Sequence, residues 1–397
     1  MEKSENMDRD NTIYSLASGK GRCGIAVIRI SGPDAHDALS LLTKKPLSDL
    51  PAPRRLARAT IFALKTGQKL DQPLIVRFLK PDSFTGENVV ELHVHGGPAV
   101  VKAVIGSLEE IRNLRPAEAG EFTRRAFENG QMDLTEVEGL ADLINAETEM
   151  QRQQAFRQLD GELGKLYERW RSKLVKALAY MEAHIDFAEA ELSRKEVFKN
   201  LRPALDLVEE MQDYLLDGRR GEILRDGLRV ALVGAPNSGK STLLNALVRR
   251  EVAITAASAG TTRDVLEVKM DIAGFPVCFY DTAGIRESDE EVEVEGIRRA
   301  LECAKGADLR IVVFDATAPT EEKTPLSGCE NKELVVYNKC DLLAKEGDDR
   351  QYDGRALLIS AKTGQGLDDL IKEVTVRSEM AAGSSSGEAP PITRARH

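Results

Sequence analysis

The sequence lacks the marks of several protein classes. Its five cysteines form no CxxC pair and show no histidine spacing of a zinc site, so we expect unpaired thiols in a reducing compartment. Residues 1–11 are charged without an apolar core, and no stretch approaches the roughly 18 apolar residues of a membrane span. The sequence therefore predicts no secretory signal, no membrane partner and a cytoplasmic location.

An excess of positive charge is also missing. The net charge is −10 and the pI is near 5.3, which argues against a protein that coats nucleic acid by electrostatics alone. An RNA partner would have to bind through a local basic patch. The 397 residues exceed what one core accommodates, and an apolar content of 42% is enough to fill two or three domains.

A phosphate-binding pattern, GxxxxGK[ST], is present at residues 234–241. It follows the apolar run 229–233, which is typical of a buried strand, and it precedes a run with helical spacing at 242–248. The glycines of such a loop let backbone N–H groups face the phosphates, Lys240 supplies a compact positive charge, and Ser241 can ligate a magnesium ion. The sequence therefore predicts a site for a nucleoside triphosphate and Mg²⁺.

The motif Asn338-Lys339-Cys340-Asp341 indicates which base is bound. It follows the apolar strand 334–337, and the Asp341 carboxylate can accept two hydrogen bonds from N1 and the 2-amino group of guanine. Adenine offers no such pair of donors, and an acceptor left unpaired costs binding energy. We therefore predict that the nucleotide is GTP.

Three further segments complete the pattern of a GTPase. Asp281-Thr282-Ala283-Gly284 ends the strand 277–280 and is typical of a magnesium and γ-phosphate contact. Thr262 lies where a magnesium-liganding threonine of the first switch belongs, and Ser360-Ala361-Lys362 is expected to contact the guanine oxygen. Five motifs in this order predict an α/β P-loop GTPase domain at residues 225–378 with a doubly wound parallel sheet.

The rest of the chain divides into regions whose sequence patterns indicate different secondary structure. Residues 1–129 alternate strand-like runs with turns and helical patches, which predicts an α+β domain. Residues 130–224 form a predicted α-helical domain, whose first long helix has one apolar face that we expect to pack in a core against a second helix near 201–216. Residues 379–397 begin as a linker by composition and end as the start of a further helical part. The apolar stripe of the first helix consists of Phe156, Leu159, Leu163, Leu166, Trp170, Leu174, Leu178, Met181 and Ile185.

The first region contains the phrases GRCGIAVIRISG at 21–32, SFTGENVVELHVHGG at 83–97 and AGEFTRRAF at 119–127. Together with the GTPase motifs, these phrases resemble the MnmE (TrmE) family, the GTPases that modify uridine 34 of tRNA, and the resemblance covers essentially the whole chain. It implies an N-terminal domain that dimerises and binds 5-formyl-tetrahydrofolate, and a GTPase domain inserted in the helical domain. It also implies that Arg29, Glu91 and Gln131 contact the folate. Family members often carry a basic residue at the last position, so we expect that contact to be weaker or water-mediated here.

The resemblance also implies how GTP is hydrolysed. Ile285 follows the DTAG motif, where many regulatory GTPases have a glutamine that orients the attacking water. In the family a second-switch glutamate, here Glu293, helps to orient the water, and K⁺ replaces an arginine finger. The acidic run 289–295 around Glu293 fits a solvated helix start equally well.

The predicted site residues are therefore as follows. The catalytic residues are Glu293, Lys240 and Asn237. The nucleotide-binding residues are Asn237, Ser238, Gly239, Lys240, Ser241, Thr242, Ala256, Ala257, Ser258, Ala259, Gly260, Thr261, Thr262, Asp281, Thr282, Ala283, Gly284, Asn338, Lys339, Asp341, Ser360, Ala361 and Lys362. The metal ligands are Ser241 and Thr262 for Mg²⁺, and Asn237, Ala256, Ser258 and Thr261 for K⁺.

The resemblance further implies a substrate and partners. With an FAD-dependent protein, MnmG in this family, a homodimer joined through its N-terminal domains forms a heterotetramer. Together they add an aminomethyl or carboxymethylaminomethyl group to C5 of the wobble uridine of tRNA. The family ends in a Cys-Ile-Gly-Lys tail whose cysteine is implicated in this chemistry. The present sequence ends at His397 without it, so we expect nucleotide and folate binding without full modification activity.

Other interpretations of the same residues remain open. A ribosome-assembly or RNA-binding switch GTPase without one-carbon chemistry would need a basic module such as a KH GXXG loop, and none is evident. A nucleotide-regulated scaffold without turnover is a third possibility. His93 and His95, two residues apart on a strand, could ligate a metal, although hydrogen-bonded structural histidines beside Gly96 fit the pattern better.

Overall fold

The computed structural model describes residues 11–186, 194–217, 219–250, 266–281, 306–318, 332–343, 356–383 and 394. The chain divides into two compact units, Met1–Val137 and Glu138–His397. None of the helices within these described ranges is long and apolar enough to cross a membrane.

The first unit contains a six-stranded mixed sheet with the strand order β3-β6-β7-β2-β1-β8. Its strands are β1 (Thr12–Leu16), β2 (Ile25–Ser31), β3 (Ala57–Arg58), β6 (Leu74–Phe78), β7 (Val89–His95) and β8 (Leu114–Pro116), and β4 (Ile61–Phe62) pairs with β5 (Lys69–Asp71) in a separate ribbon. Its described residues include the helices α1 (Ala35–Thr43), α2 (Pro98–Glu109) and α3 (Glu121–Glu128). This mixture of elements confirms the predicted α+β architecture.

Alternation along the central strands separates a core face from a polar face. Side chains two residues apart point to the same side of a sheet, so Ile28 and Ile30 of β2 pack with Leu39 of α1 and Val104 of α2. Arg29, between the two isoleucines, points to the opposite face. The sheet therefore presents charged side chains on the face away from α1 and α2.

Five helices begin the second unit or lead into it. They are α4 (Leu134–Asn145), α5 (Glu149–Leu159), α6 (Glu162–Asp186), α7 (Arg194–Asp217) and α8 (Arg219–Asp226). A capping box formed by Thr148 and Gln151 starts α5. The predicted continuous helix is broken at Asp160–Gly161, because Gly161 adopts a left-handed φ of 76° that ends α5 before α6 begins.

The apolar stripe is only partly a core. Leu163, Leu166 and Trp170 of α6 form a buried cluster with Leu207 of α7, which confirms the predicted packing of the second helix for this part. The expectation was wrong for five of the other members, which are 41–70% exposed, whereas Leu159 is half-buried. A helix of 25 residues is about 37 Å long, and the cluster with α7 covers only its first three turns. The exposed members are Phe156, Leu174, Leu178, Met181 and Ile185.

A second six-stranded sheet follows, with the strand order β10-β11-β9-β12-β13-β14. Its strands are β9 (Leu228–Val233), β10 (Leu266–Ile272), β11 (Phe275–Asp281), β12 (Leu309–Asp315), β13 (Glu333–Asn338) and β14 (Leu357–Leu358). Helices α9 (Lys240–Arg250) and α10 (Leu367–Ala382) pack on it. The predicted parallel pairing is confirmed for β9 and β11–β14. Edge strand β10 runs antiparallel, because a two-residue turn, Ala273–Gly274, joins it to β11.

Candidate functional site

The loop between β9 and α9 has the geometry of a phosphate-binding loop. Asn237 lies in the left-handed region with a φ of 63°, and Gly239 has a φ of 96°. A Cβ at Gly234 would collide with the carbonyl oxygen of Val313, and a Cβ at Gly239 would collide with the side-chain amide of Asn338. Both glycines are therefore required by the close approach of neighbouring strands as well as by backbone curvature.

Lys240 is buried at the base of this loop. Its Nζ donates hydrogen bonds to the carbonyl oxygens of Gly234 at 2.8 Å and Ala235 at 2.9 Å. Ser238 is 2% exposed, and its Oγ has no hydrogen-bond partner among the described residues. A buried hydroxyl without a partner beside a buried ammonium group fits a site that holds an oxygen-rich anion.

Asn338 joins three segments of the site. Its Nδ2 donates to the carbonyl oxygen of Ser238 at 3.0 Å, and its Oδ1 accepts from the backbone N–H of Ala361 at 2.9 Å. The side chain is 2% exposed and spans 100 residues of sequence to reach Ser238. The phosphate loop, the 338–341 motif and the 360–362 turn are therefore fixed to one another.

Lys339 and Asp315 form an ion pair beside this junction. Lys339 Nζ lies 2.6 Å from Asp315 Oδ2, and Thr317 donates from its N–H and its hydroxyl to Asp315 Oδ1. Burial alone would raise the pKa of Asp315, but the bonds from Lys339 and Thr317 and the charge of Lys339 hold that pKa below its usual range. Asp315 was not predicted from the sequence, in which it is 24 residues away from its partner.

Asp341 stands at the other side of the same motif. Its Oδ1 accepts a hydrogen bond of 2.6 Å from the hydroxyl of Ser360, and that hydroxyl in turn accepts from the N–H of Thr363. Asp341 is exposed, so its other oxygen is accessible to a ligand with N–H donors. This arrangement can recognise the donor edge of a purine.

The described residues contain only part of the predicted nucleotide site. Asp281 ends β11, the strand paired with β9, as the sequence predicted. The rest of the first and second switch predictions lie outside the described residues. They are Ala256, Ala257, Ser258, Ala259, Gly260, Thr261, Thr262, Thr282, Ala283, Gly284 and Glu293.

In the first unit, Arg29 and Glu91 lie side by side on the polar face of the sheet. They are paired residues of β2 and β7, and the Nε and one terminal nitrogen of Arg29 approach Glu91 Oε1 at 2.9 Å and 2.8 Å. Glu91 Oε2 lies 3.5 Å from Nε2 of His93. No cluster of three metal-ligating side chains occurs in the described ranges, so the metal interpretation of His93 and His95 gains no support there.

Aromatic rings surround the Arg29 guanidinium. Its Cζ lies 5.0 Å from the ring centroid of Phe84 and 5.6 Å from that of Phe122, within the range of a cation–π contact. Gln131 lies against the loop that contains Phe84, since a Cβ built at Gly86 would meet its side chain at 3.2 Å. All three predicted folate residues therefore belong to one neighbourhood of the first unit.

A buried charge network, which was not predicted from the sequence, supports this neighbourhood. Glu121 accepts hydrogen bonds from Arg115 at 2.6 Å and 2.9 Å, and it lies 3.6 Å from Arg125. Burial alone would raise the pKa of Glu121. The hydrogen bonds from Arg115 and the N–H of Glu118, with the two arginine charges, outweigh it and lower the pKa to about 2. The AGEFTRRAF phrase was the only signal in the sequence, and it did not reveal which charges meet.

Comparison with known proteins matches each region of the chain. The family model described as the GTP-binding protein TrmE N-terminus matches residues 12–131, and the MnmE helical domain model matches residues 134–397. The chain belongs to the MnmE family.

Relatives of the MnmE family cover almost all of the chain. The tRNA modification GTPase MnmE of Paramagnetospirillum magneticum is 50% identical over 390 residues, 97% of this chain and 86% of the relative. The human protein named 5-taurinomethyluridine-[tRNA] synthase subunit GTPB3, mitochondrial, is 48% identical over 405 residues, 97% of this chain and 81% of the relative. Among solved structures, the G domain of the T. maritima FeoB iron transporter covers 38% of this chain and 98% of its own, at 24% identity and a TM-score of 0.28. A TM-score this low adds nothing to the assignment.

Proposed function

We propose that this protein is the GTP-hydrolysing component of a tRNA-modifying enzyme that adds an aminomethyl or carboxymethylaminomethyl group to C5 of uridine 34. The observation on which this depends is that Asn338 joins the phosphate loop to the 338–341 motif in the second unit, while a TrmE-type first unit contains the Arg29–Glu91 pair. Relatives named as tRNA modification GTPases support the proposal.

At the nucleotide site, backbone N–H groups of the 234–241 loop and the ammonium of Lys240 would bind the phosphates. Asp341 would accept from the guanine edge, while Asn338 keeps the base-binding and phosphate-binding segments in register. Ser241 and Thr262 would hold Mg²⁺, which supplies charge neutralisation at the phosphates when bound. We propose Asn237, Ala256, Ser258 and Thr261 for K⁺.

Glu293 is proposed to orient the attacking water. The sequence supports this role because Ile285 has no hydrogen-bonding side chain at the position where many regulatory GTPases have glutamine. The remaining nucleotide contacts stay as predicted, at Ser238, Gly239, Thr242, Asp281, Lys339, Ser360, Ala361 and Lys362 and in the segments 257–260 and 282–284.

At the first unit we propose a site for 5-formyl-tetrahydrofolate. Glu91 offers carboxylate oxygens that suit the amino-pyrimidine edge of a pterin, and Arg29 suits a carbonyl or carboxylate of the same ligand. Gln131 would add a neutral amide contact at the edge of the site. The paired geometry of Arg29 and Glu91 supports this assignment because both groups face the same side of the sheet.

The architecture and partners belong to the same proposal. We infer a helical domain at 130–224, a GTPase domain at 225–378 inserted within it, and a further helical part from 379. The pairing of Arg394 with Asp142 at 2.7 Å supports the insertion, because a residue beyond the sheet contacts a helix that precedes it. We also propose a homodimer through the N-terminal domain, tRNA and an FAD-dependent MnmG as partners, and a cytoplasmic location.

Folate binding tests the one-carbon part of the proposal. Equilibrium binding of labelled 5-formyl-tetrahydrofolate is measured with the wild type, Arg29→Ala, and Arg58→Ala, whose side chain contacts Gln72 on the edge of the same sheet. We expect binding by the wild type and Arg58→Ala and loss of binding by Arg29→Ala. Absence of binding by all three would return the function to a switch GTPase without one-carbon chemistry.

Hydrolysis in different salts tests the monovalent ion. GTP turnover is measured in KCl and in NaCl at equal ionic strength, for the wild type and Asn237→Ala. We expect faster turnover in KCl for the wild type and equal turnover in both salts for Asn237→Ala. Equal rates for the wild type would remove K⁺ and Asn237 from the catalytic assignment.

A further inference from the structure

Arg125 of α3 forms an ion pair with Glu87, which follows Phe84 in the same loop and has a side chain that is 20% exposed. One terminal nitrogen of Arg125 lies 3.1 Å from each carboxylate oxygen of Glu87, and the other donates to the carbonyl oxygen of Asn11 at 2.8 Å. The Arg125 side chain is 6% exposed. A charge this deeply buried requires a partner in a fixed place, so this pair defines where Glu87 lies.

Glu87 belongs to the 83–88 loop, and the same contacts fix that whole loop. Ser31 donates to Glu87 Oε2 at 2.7 Å, and its hydroxyl lies 2.6 Å from the hydroxyl of Thr85. Asn129 donates to the carbonyl oxygen of Thr85 at 2.7 Å, just beyond the end of α3. Two fully buried polar side chains, Ser31 at the end of β2 and Thr85 in the loop, therefore connect the strand to the loop and to the segment after α3.

Phe84 is the residue that this loop presents to Arg29. Thr85 beside it is fully buried, so the backbone that carries Phe84 has a fixed position, while its own ring remains 37% exposed. Phe122, the other ring on Arg29, lies on α3 in the same turn as Arg125. One short helix therefore supplies both the anchor of the loop and one of the two rings around the guanidinium.

We propose that Arg125 and Glu87 are positioning residues for ligand binding at the Arg29–Glu91 site. Neither needs to touch the ligand. The pair holds the 83–88 loop so that Phe84 lies over the Arg29 guanidinium and keeps it oriented toward a flat, carbonyl-bearing ligand of the pterin class. This inference rests on the proposed folate site and states that residues outside that site fix its geometry.

The test compares two neighbouring arginines of α3. Arg125→Lys keeps the charge but loses the geometry in which one guanidinium reaches Glu87 and Asn11 together. Arg124→Lys is the matched control, because the Arg124 side chain is 53% exposed and makes ion pairs of 3.3 Å with exposed Glu118 and 3.4 Å with Glu121, without a contact to Glu87 among the described residues. We expect Arg125→Lys to bind 5-formyl-tetrahydrofolate about tenfold more weakly, the size of one partly desolvated cation–π contact, and Arg124→Lys to bind as the wild type does.

A double-mutant cycle separates positioning from general stability. Phe84→Ala is measured alone and combined with Arg125→Lys, well below the unfolding temperature of each variant. If Arg125 acts through Phe84, the double variant binds no more weakly than Phe84→Ala alone. Additive losses would instead indicate a general structural role and would overturn the proposal.

Two further outcomes are informative. If Arg125→Lys fails to fold, Glu87→Gln replaces it, since the amide keeps the shape of the side chain while removing its charge, and the same tenfold loss is expected. Wild-type protein that binds no folate would refute the proposed function and this inference with it. Wild-type protein that binds, together with Arg125→Lys or Glu87→Gln that binds equally well, would refute the positioning role alone.

Discussion

The two candidate sites are held together in different ways. In the second unit, a neutral amide, Asn338, connects the phosphate loop to the 360–362 turn through backbone groups. In the first unit, ion pairs such as Arg29–Glu91 and Arg125–Glu87 connect side chains of different elements. A hydrogen bond from a neutral amide does not involve a charged group, whereas an ion pair needs both of its charges. The comparison therefore contrasts an uncharged junction at Asn338 in the second unit with charged junctions in the first.

The largest expected effect tests how far the nucleotide site depends on one side chain. Asp341→Asn replaces a carboxylate that would accept two N–H donors of guanine with an amide that can accept at one atom only. We expect GTP affinity to fall about a thousandfold, the sum of two charge-assisted hydrogen bonds, and affinity for xanthosine triphosphate to rise, because xanthine has a carbonyl in place of the 2-amino group. Titration with each nucleotide measures both.

The control for that experiment is Asp369→Asn, which changes an exposed carboxylate on α10 that pairs with Lys372. It should leave both affinities as they are. An Asp341→Asn variant that retains GTP affinity would show that the base is recognised elsewhere, and the contrast between the two sites would lose its basis.

The next effect tests the dependence of the first unit on charge. Glu121 has a pKa lowered to about 2 from an ordinary value of 4.5, so its ionised form stabilises the folded unit above pH 4.5, and this contribution is lost as the pH falls toward 2. We expect Glu121→Gln to lower the free energy of unfolding by about 3 kcal/mol at pH 7 and to remove that part of the acid dependence. Hydrogen exchange at amides of β2 and β7 measures this free energy of unfolding and its dependence on pH.

Glu118→Gln is the matched control, because Glu118 is exposed and makes a longer ion pair with Arg124. In Glu118→Gln, the protection of the β2 and β7 amides from hydrogen exchange should equal that of the wild type at every pH. Equal acid dependence of Glu121→Gln and the wild type would mean that the buried network does not stabilise the first unit, and that the two sites differ less than the contacts indicate.

The smallest expected effect tests whether the Asp315–Lys339 ion pair contributes to GTP binding. Asp315→Asn weakens the 2.6 Å contact that holds Lys339, and Lys339→Met removes its charge. If Asp315 acts by placing Lys339, each variant should lose about tenfold in GTP affinity and the double variant should lose no more than Lys339→Met alone. Thr317→Val, which removes one of the bonds to Asp315, should have a smaller effect. Additive losses would show that the two residues act separately.

Contiguous motifs explain why the elements of the candidate nucleotide site could be predicted from the sequence. The residues within each of the segments 234–241 and 338–341 are consecutive in the chain, and the strands that precede the two segments end at the same edge of a parallel sheet. The Asp315–Lys339 and Arg125–Glu87 pairs could not be predicted in the same way, because they depend on which strands and helices become neighbours. Arg29 and Glu91, 62 residues apart, were reached only through the family resemblance.

Helical periodicity showed which residues share one face of a helix, but not how much of that face a neighbour buries. The apolar stripe correctly placed Leu163, Leu166 and Trp170 on one face of α6. Periodicity cannot show how much of a helix face a neighbour covers, so it also predicted burial for Leu178 and Ile185, which are exposed. The break at Gly161 was not predicted, because a single glycine is compatible with a helix and the sequence does not show that its φ is positive.

The contact between Gly239 and Asn338 has a consequence for sequence variation. Any side chain at position 239 would occupy the space of the Asn338 amide, although almost a hundred residues separate the two. A substitution at position 239 would therefore displace the Asn338 amide from its contact with the carbonyl oxygen of Ser238, so a single Gly239→Ala change would disturb both motifs at once.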